Sequence, residues 1–195
     1  MVRVRFAPSP TGPIHIGGVR TALYNYLYKL NKGGRFILRI EDTDGSRRLD
    51  GAEKYIYDVL DYYKIKVDEG PREGGGLGPY RQSERKEIYD KHIKLLLDKG
   101  CAYYCYASKD ELVKAREDKG FSYNSKTRMM FKNSISLKEE ESLLLKKKNK
   151  YVVRLKVKEG VDLNVTDLLR GTIKVNSDNL EDKVLMKEDG LPTYH

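Results

Sequence analysis

Apolar and charged residues alternate from the first positions of the chain. Val2, Val4 and Phe6 are separated by Arg3 and Arg5, the period-two pattern of a strand with one face in a core. A proline-rich turn follows from Ala7 to Pro13. Beyond it the period changes. Val19, Leu23, Tyr26, Leu27 and Leu30 recur three or four apart, which predicts a helix, and Gly33-Gly34 predicts its end. Phe36-Ile37-Leu38-Arg39-Ile40 is a second strand, apolar enough to be expected buried on both faces, and it stops at Glu41-Asp42-Thr43-Asp44. Asp50 and Glu53 have the spacing of a capping box for a helix carrying Ile56, Val59, Leu60 and Tyr63. Strand, helix, strand, helix predicts parallel pairing with right-handed crossovers, the first half of a doubly wound (Rossmann-type) α/β sheet.

The stretch from Gly70 to Pro79 is rich in glycine and proline and is expected to be a loop. Ser83 is the expected cap of a helix running to Lys99 and ended by Gly100, and Ala102 to Tyr106 is a short strand. After that the texture is more polar. Ser108 with Glu111, and Ser136 with Glu139, have the spacing that opens two charged helices. Tyr151 to Val157, Thr172 to Val175 and Val184 to Lys187 read as strands, the first two alternating, half exposed and expected to be antiparallel. The expected organisation is therefore a first α/β portion over residues 1–102, an inserted α+β subdomain over 103–183, and a last piece, 184–195, returning toward the first sheet.

Composition adds a little. The chain has 195 residues, 39% of them hydrophobic, enough for a real core. Lys and Arg number 38 against 29 Asp and Glu, a net charge of +9. Such a balance suits a polyanionic partner, and it equally suits a well-solvated surface. The run Lys146-Lys147-Lys148-Asn149-Lys150 is expected to be a solvated loop. No apolar stretch is long enough to span a bilayer, and the N-terminus lacks an apolar signal core. Cys101 and Cys105 make no disulfide framework, so a soluble cytoplasmic protein with reduced thiols and no membrane partner is expected.

The most specific feature is the junction from Arg5 to Gly18. A strand leads through a tight turn into a helix that begins near His15-Ile16-Gly17-Gly18. Helix N-termini expose unpaired N–H groups at the positive end of the dipole and collect phosphate. Gly12 and Gly17 have P-loop spacing, but Gly18-Val19 stand where Lys-Ser/Thr would be required. The cluster Gly74-Gly75-Gly76-Leu77-Gly78 follows no clear strand and does not fit a dinucleotide fingerprint. Arg5 and Glu41 end the two strands at the carboxyl edge, where open α/β sheets bind ligands.

The string Arg5-Phe6-Ala7-Pro8-Ser9-Pro10-Thr11-Gly12-Pro13-Ile14-His15-Ile16-Gly17-Gly18 resembles the HIGH-type signature of class I aminoacyl-tRNA synthetases, in the form used for glutamate and glutamine. Arg39 to Asp44, Gly78 to Arg85 and Leu191 to His195 resemble glutamyl-tRNA synthetases in wording and order. The likeness covers the whole chain and less than half of the family's usual protein. It implies a glutamate–tRNA ligase fragment, with ATP and L-glutamate condensed to glutamyl-adenylate and the acyl group passed to tRNA(Glu). His15 and Thr11 would be catalytic, and Thr11, His15, Gly17 and Gly18 would hold the ATP phosphates. Arg5, Ala7, Ser9, Glu41 and Tyr194 would bind glutamate, Arg5 through the side-chain carboxylate and Glu41 through the ammonium. Residues 103–183 would take the tRNA acceptor end. Magnesium would arrive with ATP, and Asp42 and Asp44 are expected in turns rather than as metal ligands. Some relatives carry a zinc cluster that begins Cys-x-Cys. Here Ala107 replaces the second ligand after Cys105, and Thr127-Arg128-Met129-Met130 stand where the distal ligands would lie, so no zinc is expected. A monomer is expected. A glutamyl-queuosine tRNA(Asp) synthetase-like paralogue and a non-catalytic RNA-binding fragment are the alternative readings. The family's second ATP loop lies downstream of this sequence, so the isolated fragment is expected to be inactive or nearly so.

Overall fold

The computed structural model describes residues 1–43, 49–148, 151–167 and 170–193. They form two compact units, Met1–Glu87 and Ile88–Thr193. The division falls before the short strand at residue 102, earlier than the sequence pattern suggests.

The first unit holds β1 (Arg3–Phe6), α1 (Ile16–Lys32), β2 (Arg35–Leu38) and α2 (Ala52–Tyr62). β1 and β2 pair in parallel, with Arg3 opposite Arg35, Arg5 opposite Ile37 and Phe6 opposite Leu38. Registered residues share a face of the sheet. Val4, Phe6, Phe36 and Leu38 therefore line one face and Arg3, Arg5, Arg35 and Ile37 the other. The apolar face packs with Ala22 of α1 and with Ile56, Tyr57 and Leu60 of α2 to make the core. Tyr26 sets its ring edge-on to Phe36 at 6.0 Å. β2 is thus buried on one face only, not both. Its second face meets charged neighbours, and Ile37 there stays half-buried.

α1 ends as its sequence predicts: Gly33 adopts a left-handed conformation (φ 63°) and its N–H bonds back to Lys29. The start of α2 does not. Its N-cap is Gly51, with no side-chain bond, and Glu53 instead forms a fork with Arg81 at 2.8 and 2.9 Å. Ser83 is likewise no helix cap. Its N–H and hydroxyl both donate to Asp42, at 2.8 and 2.6 Å, at a 3-10 turn that leads into α3 (Lys86–Asp98). In each case a charged partner distant in sequence outcompetes the local bond.

The second unit is built on an antiparallel sheet in the order β3-β4-β7 (Ala102–Cys105, Val152–Leu155, Val184–Met186). Alternation along β3 divides its neighbours. Ala102 joins Val153 and Met186 under Ile93, Leu96 and Leu97 of α3, while Tyr103 and Cys105 join Tyr123 on the other side. β7 pairs with β4 and then turns back, Thr193 donating to Leu185. The described part of 184–195 therefore belongs to this sheet rather than returning to the first. α4 (Lys109–Arg116) opens with the expected capping box of Ser108 and Glu111. α5 (Glu139–Lys147) does not use Ser136, whose hydroxyl bonds Phe131 and Asn133 instead; its N-cap is Lys138. Lys146 and Lys147 are the last turn of α5 rather than a loop. A two-stranded ribbon pairs β6 (Gly171–Asn176) with β5 (Asp162–Asp167), a strand the pattern does not reveal because the whole segment is polar-flanked and largely exposed. Among the described residues no helix is long and apolar enough to cross a membrane.

Candidate active site

The carboxyl ends of β1 and β2 continue as paired chain. Arg39 N–H donates to Phe6 and Glu41 N–H to Pro8, at 3.0 and 2.9 Å, so Ala7, Pro8 and Ser9 lie alongside residues 39–41. On the other side, Ile40 and Tyr80–Gln82 exchange backbone bonds at 2.9 Å. Residues 39–41 are thus clamped from both sides, and the period of two puts Arg39 and Glu41 on one face. The expected site residues Arg5, Ala7, Ser9 and Glu41 gather at this edge. Arg5 and Ser9 are exposed, and Ala7 is half-buried.

Glu41 is only 8% exposed. One carboxylate oxygen accepts from Arg39 Nε at 3.2 Å, and the other, Oε2, has no hydrogen-bond partner among the described residues. Burial raises its pKa above the ordinary carboxylate value; Arg39 pulls it back, Asp42 adds to the rise and Arg85 opposes it. A shielded carboxylate with an open oxygen is costly unless a cation arrives to use it.

The neighbouring arginine has a different fate. Arg3 pairs with Glu69 at 2.5 Å, and Arg35 pairs with the same carboxylate at 3.1 Å. Tyr80 donates to Glu69 at 2.6 Å. Glu69 is buried, yet these donors, Tyr80 first, hold its pKa below the usual value. Arg5 takes no part in the ion pairs that occupy Arg3, Arg35 and Arg39. Two arginines two residues apart on one strand face look equivalent in sequence. The buried partner of one distinguishes them.

The turn after β1 brings Thr11, half-buried, to the start of α1. His15 is the N-cap of that helix, and its Nδ1 accepts the Gly17 N–H at 3.0 Å. An accepting Nδ1 assigns the ring proton to Nε2, so the exposed imidazole presents a donor outward. The Gly18 N–H is also taken, by the His15 carbonyl at 2.8 Å. The Gly17 and Gly18 amides expected to hold phosphate are therefore already bonded, because the cap claims them. What the glycines supply is room. A Cβ on Gly17 would sit 2.7 Å from His15 Cε1, and one on Gly18 would sit 2.7 Å from Ile14 Cγ2. Tyr194 lies outside the described residues, as does Asp44.

Sequence reasoning missed Arg39 and Arg81 at this edge, and it missed Glu69, the carboxylate that takes Arg3 and Arg35. Only Arg39 left a signal, its spacing from Glu41 on one strand. In the second unit, buried Cys105 approaches the Tyr123 hydroxyl at 3.2 Å, and Cys101 is exposed. Arg128, from the segment expected near distal metal ligands, is buried against Asp182 at 3.0 Å. Among the described residues no three His, Cys, Asp or Glu side chains are grouped as a metal site requires.

Residues 1–195 match the family described as tRNA synthetases class I (E and Q), catalytic domain. A glutamate–tRNA ligase of Parabacteroides distasonis is 52% identical over 197 residues, covering 100% of this chain and 39% of that protein. One from Christiangramia forsetii is 50% identical over 200 residues, covering 100% of this chain and 40% of its own length. Among solved structures, a glutamate-tRNA synthetase from Elizabethkingia anophelis superposes with a TM-score of 0.93 at 49% identity, covering 99% of this chain and 40% of that one. A glutamate tRNA ligase from Elizabethkingia meningosepticum, in complex with its amino acid, gives 0.92 at 49% identity, with the same 99% and 40% covered. The chain thus spans about two fifths of the length of the relatives it matches.

Proposed function

Since this chain belongs to the class I tRNA synthetases for glutamate and glutamine, as part of their catalytic domain, we propose that it carries the amino-acid and ATP sites of a glutamate–tRNA ligase. The complete protein activates L-glutamate with ATP and passes the glutamyl group to the 3′ end of tRNA(Glu). The observation that carries this reading is the open Oε2 of buried Glu41, at the strand edge that also bears exposed Arg5, which takes part in no ion pair among the described residues. An α-amino acid with an acidic side chain has one cation and two anions to place. Glu41 takes the ammonium, and Arg5 takes the side-chain carboxylate in the two-pronged geometry a guanidinium favours. Ala7, Ser9 and Tyr194 complete the glutamate contacts.

The chemistry needs positioning and charge stabilisation more than a protein nucleophile. His15 donates from Nε2 to the α-phosphate oxygens as charge builds there, and Thr11 adds a hydroxyl. Gly17 and Gly18 act by leaving space, next to the positive end of α1. ATP comes as its magnesium complex, and no zinc has a role. Cys105 engaged with Tyr123, and a cation, Arg128, in the segment where further ligands would be needed, support that last statement. Residues 103–183 receive the tRNA acceptor end, and the protein works as a cytoplasmic monomer.

Glutamate-dependent ATP–pyrophosphate exchange by the complete protein, with tRNA present, tests the reading. His15→Ala should slow it by about 30- to 1000-fold, the cost of one transition-state donor. Exchange driven equally well by another amino acid, or unaltered in His15→Ala, would overturn it.

A further inference from the structure

Glu41 does not stand alone in its shielded position. Arg39 precedes it by two residues on the same face, and its Nε–H donates to Oε1 at 3.2 Å. The Arg39 side chain is 19% exposed, and among the described residues Glu41 is its ion-pair partner. Both backbones are fixed by bonds to Phe6, Pro8 and Tyr80, so the geometry is set by strand pairing rather than by free rotation. The contact is made through Nε, the one guanidinium nitrogen fixed to the side-chain stem, and it occupies one carboxylate oxygen while leaving the other bare.

We propose that Arg39 is a positioning residue for ammonium capture: by engaging one oxygen of Glu41 it fixes the carboxylate's rotamer and reserves the other oxygen for the amino acid. The proposal deepens the glutamate-site reading above and rests on it. Arg39 need not touch the substrate. Its action is through Glu41, in two ways. It holds the carboxylate in place, and it offsets the burial and the Asp42 charge that favour the protonated form, with Arg85 assisting from the 3-10 turn. A protonated Glu41 has no negative charge to offer an ammonium group. A cation close to a buried carboxylate lowers its pKa by roughly 1–3 units, so losing one raises it by a similar amount.

The test is steady-state exchange kinetics of the complete protein from about pH 5.5 to 8, with glutamate and ATP varied separately, for Arg39→Met, Arg39→Lys and Glu41→Gln. For R39M, kcat/KM for glutamate should fall about tenfold near pH 7, and its acid limb should move up by about one pH unit. The ATP KM should stay as in the parent. R39K should bring the acid limb back, because it restores the charge, while its glutamate KM stays above the parent's. Titration of the substrate is common to all variants, so differences between limbs report the protein. If E41Q raises the glutamate KM but R39M leaves both KM and limb unmoved, the Arg39 proposal fails and the glutamate site stands. If E41Q leaves the glutamate KM unmoved, the site reading fails and takes the proposal with it. If R39M raises the KM for ATP and glutamate together, Arg39 is a structural residue and the proposal fails. Should R39M not fold, R39K decides: glutamate KM raised alone supports it, and both KM raised together overturn it.

Discussion

Glu41 and Gly17 show how much a single side chain, or its absence, is asked to do. A carboxylate with an open buried oxygen is a charge held in readiness, and the fold is less stable for it. The sign follows from the direction of its shift. The folded pKa lies above the unfolded value, so protonation favours the folded state, and the ionised group costs stability once the pH exceeds the unfolded pKa. Glu41→Gln removes that charge. The variant should melt at a higher temperature than the parent near pH 7, with the difference shrinking as the pH is lowered, by calorimetry at several pH values. Its KM for glutamate should rise about 10- to 150-fold, the worth of a hydrogen bond between charged groups. A gain in stability with a loss of affinity would mark the carboxylate as kept for binding. Gly17 is the converse. With 2.7 Å between a Cβ and His15 Cε1, Gly17→Ala must displace the imidazole from its cap. Exchange should slow by about 10-fold or more, approaching His15→Ala. Helix content by circular dichroism should change little.

Secondary-structure ends tell a similar story one level up. Ser108 caps α4 with the full reciprocal pair, and Ser108→Ala should cost about 1 kcal/mol of local stability. Asp50 has the same sequence credentials at α2 but makes no cap there, so Asp50→Ala should change stability by less than about 0.5 kcal/mol. Urea denaturation of both variants checks the pair. In the second unit one carboxylate joins several elements. Asp182 accepts from Arg128, from the Tyr103 hydroxyl at 2.7 Å and from the Val157 N–H at 3.1 Å, while its carbonyl accepts from Arg154. It is fully buried. Burial first, and then the bond to Asp182, keep the proton on the Tyr103 hydroxyl well beyond the usual phenol range. Asp182→Ala would leave Arg128 as an uncompensated buried cation, and should cost about 3–5 kcal/mol, read from urea curves and from faster amide exchange in β3 and β4.

Taken across the full chain, the net charge of +9 matters for the partner rather than for the fold. If phosphate contacts dominate tRNA binding, raising salt from about 50 to 200 mM should weaken it by roughly 10- to 1000-fold, measured by filter binding. The glutamate KM, set by groups shielded at the strand edge, should move far less. Equal salt sensitivity of both would argue that the basic surface is solvation alone.

What the linear chain settled here is what depends on neighbours in sequence. The alternation of Val2 to Phe6, the helix through Val19 to Leu30, the stop at Gly33 and the cap at Ser108 are local, and the fold keeps them, although Leu23, Leu27 and Leu30 of the predicted apolar face are exposed while Ala22 is buried. The signature from Arg5 to Gly18 was legible for the same reason: a turn that brings a strand into a glycine-bearing helix start is written within fourteen residues. The rest waited on partners far along the chain. Nothing near Arg3 says that Glu69, 66 residues on, will claim it rather than Arg5. Nothing near Asp50 says that Arg81 will draw Glu53 away from a cap. The open oxygen of Glu41 exists only once strand pairing and burial have removed water from it. Charge pairing and desolvation act through space, and the order of residues cannot report them until the fold has chosen who stands beside whom.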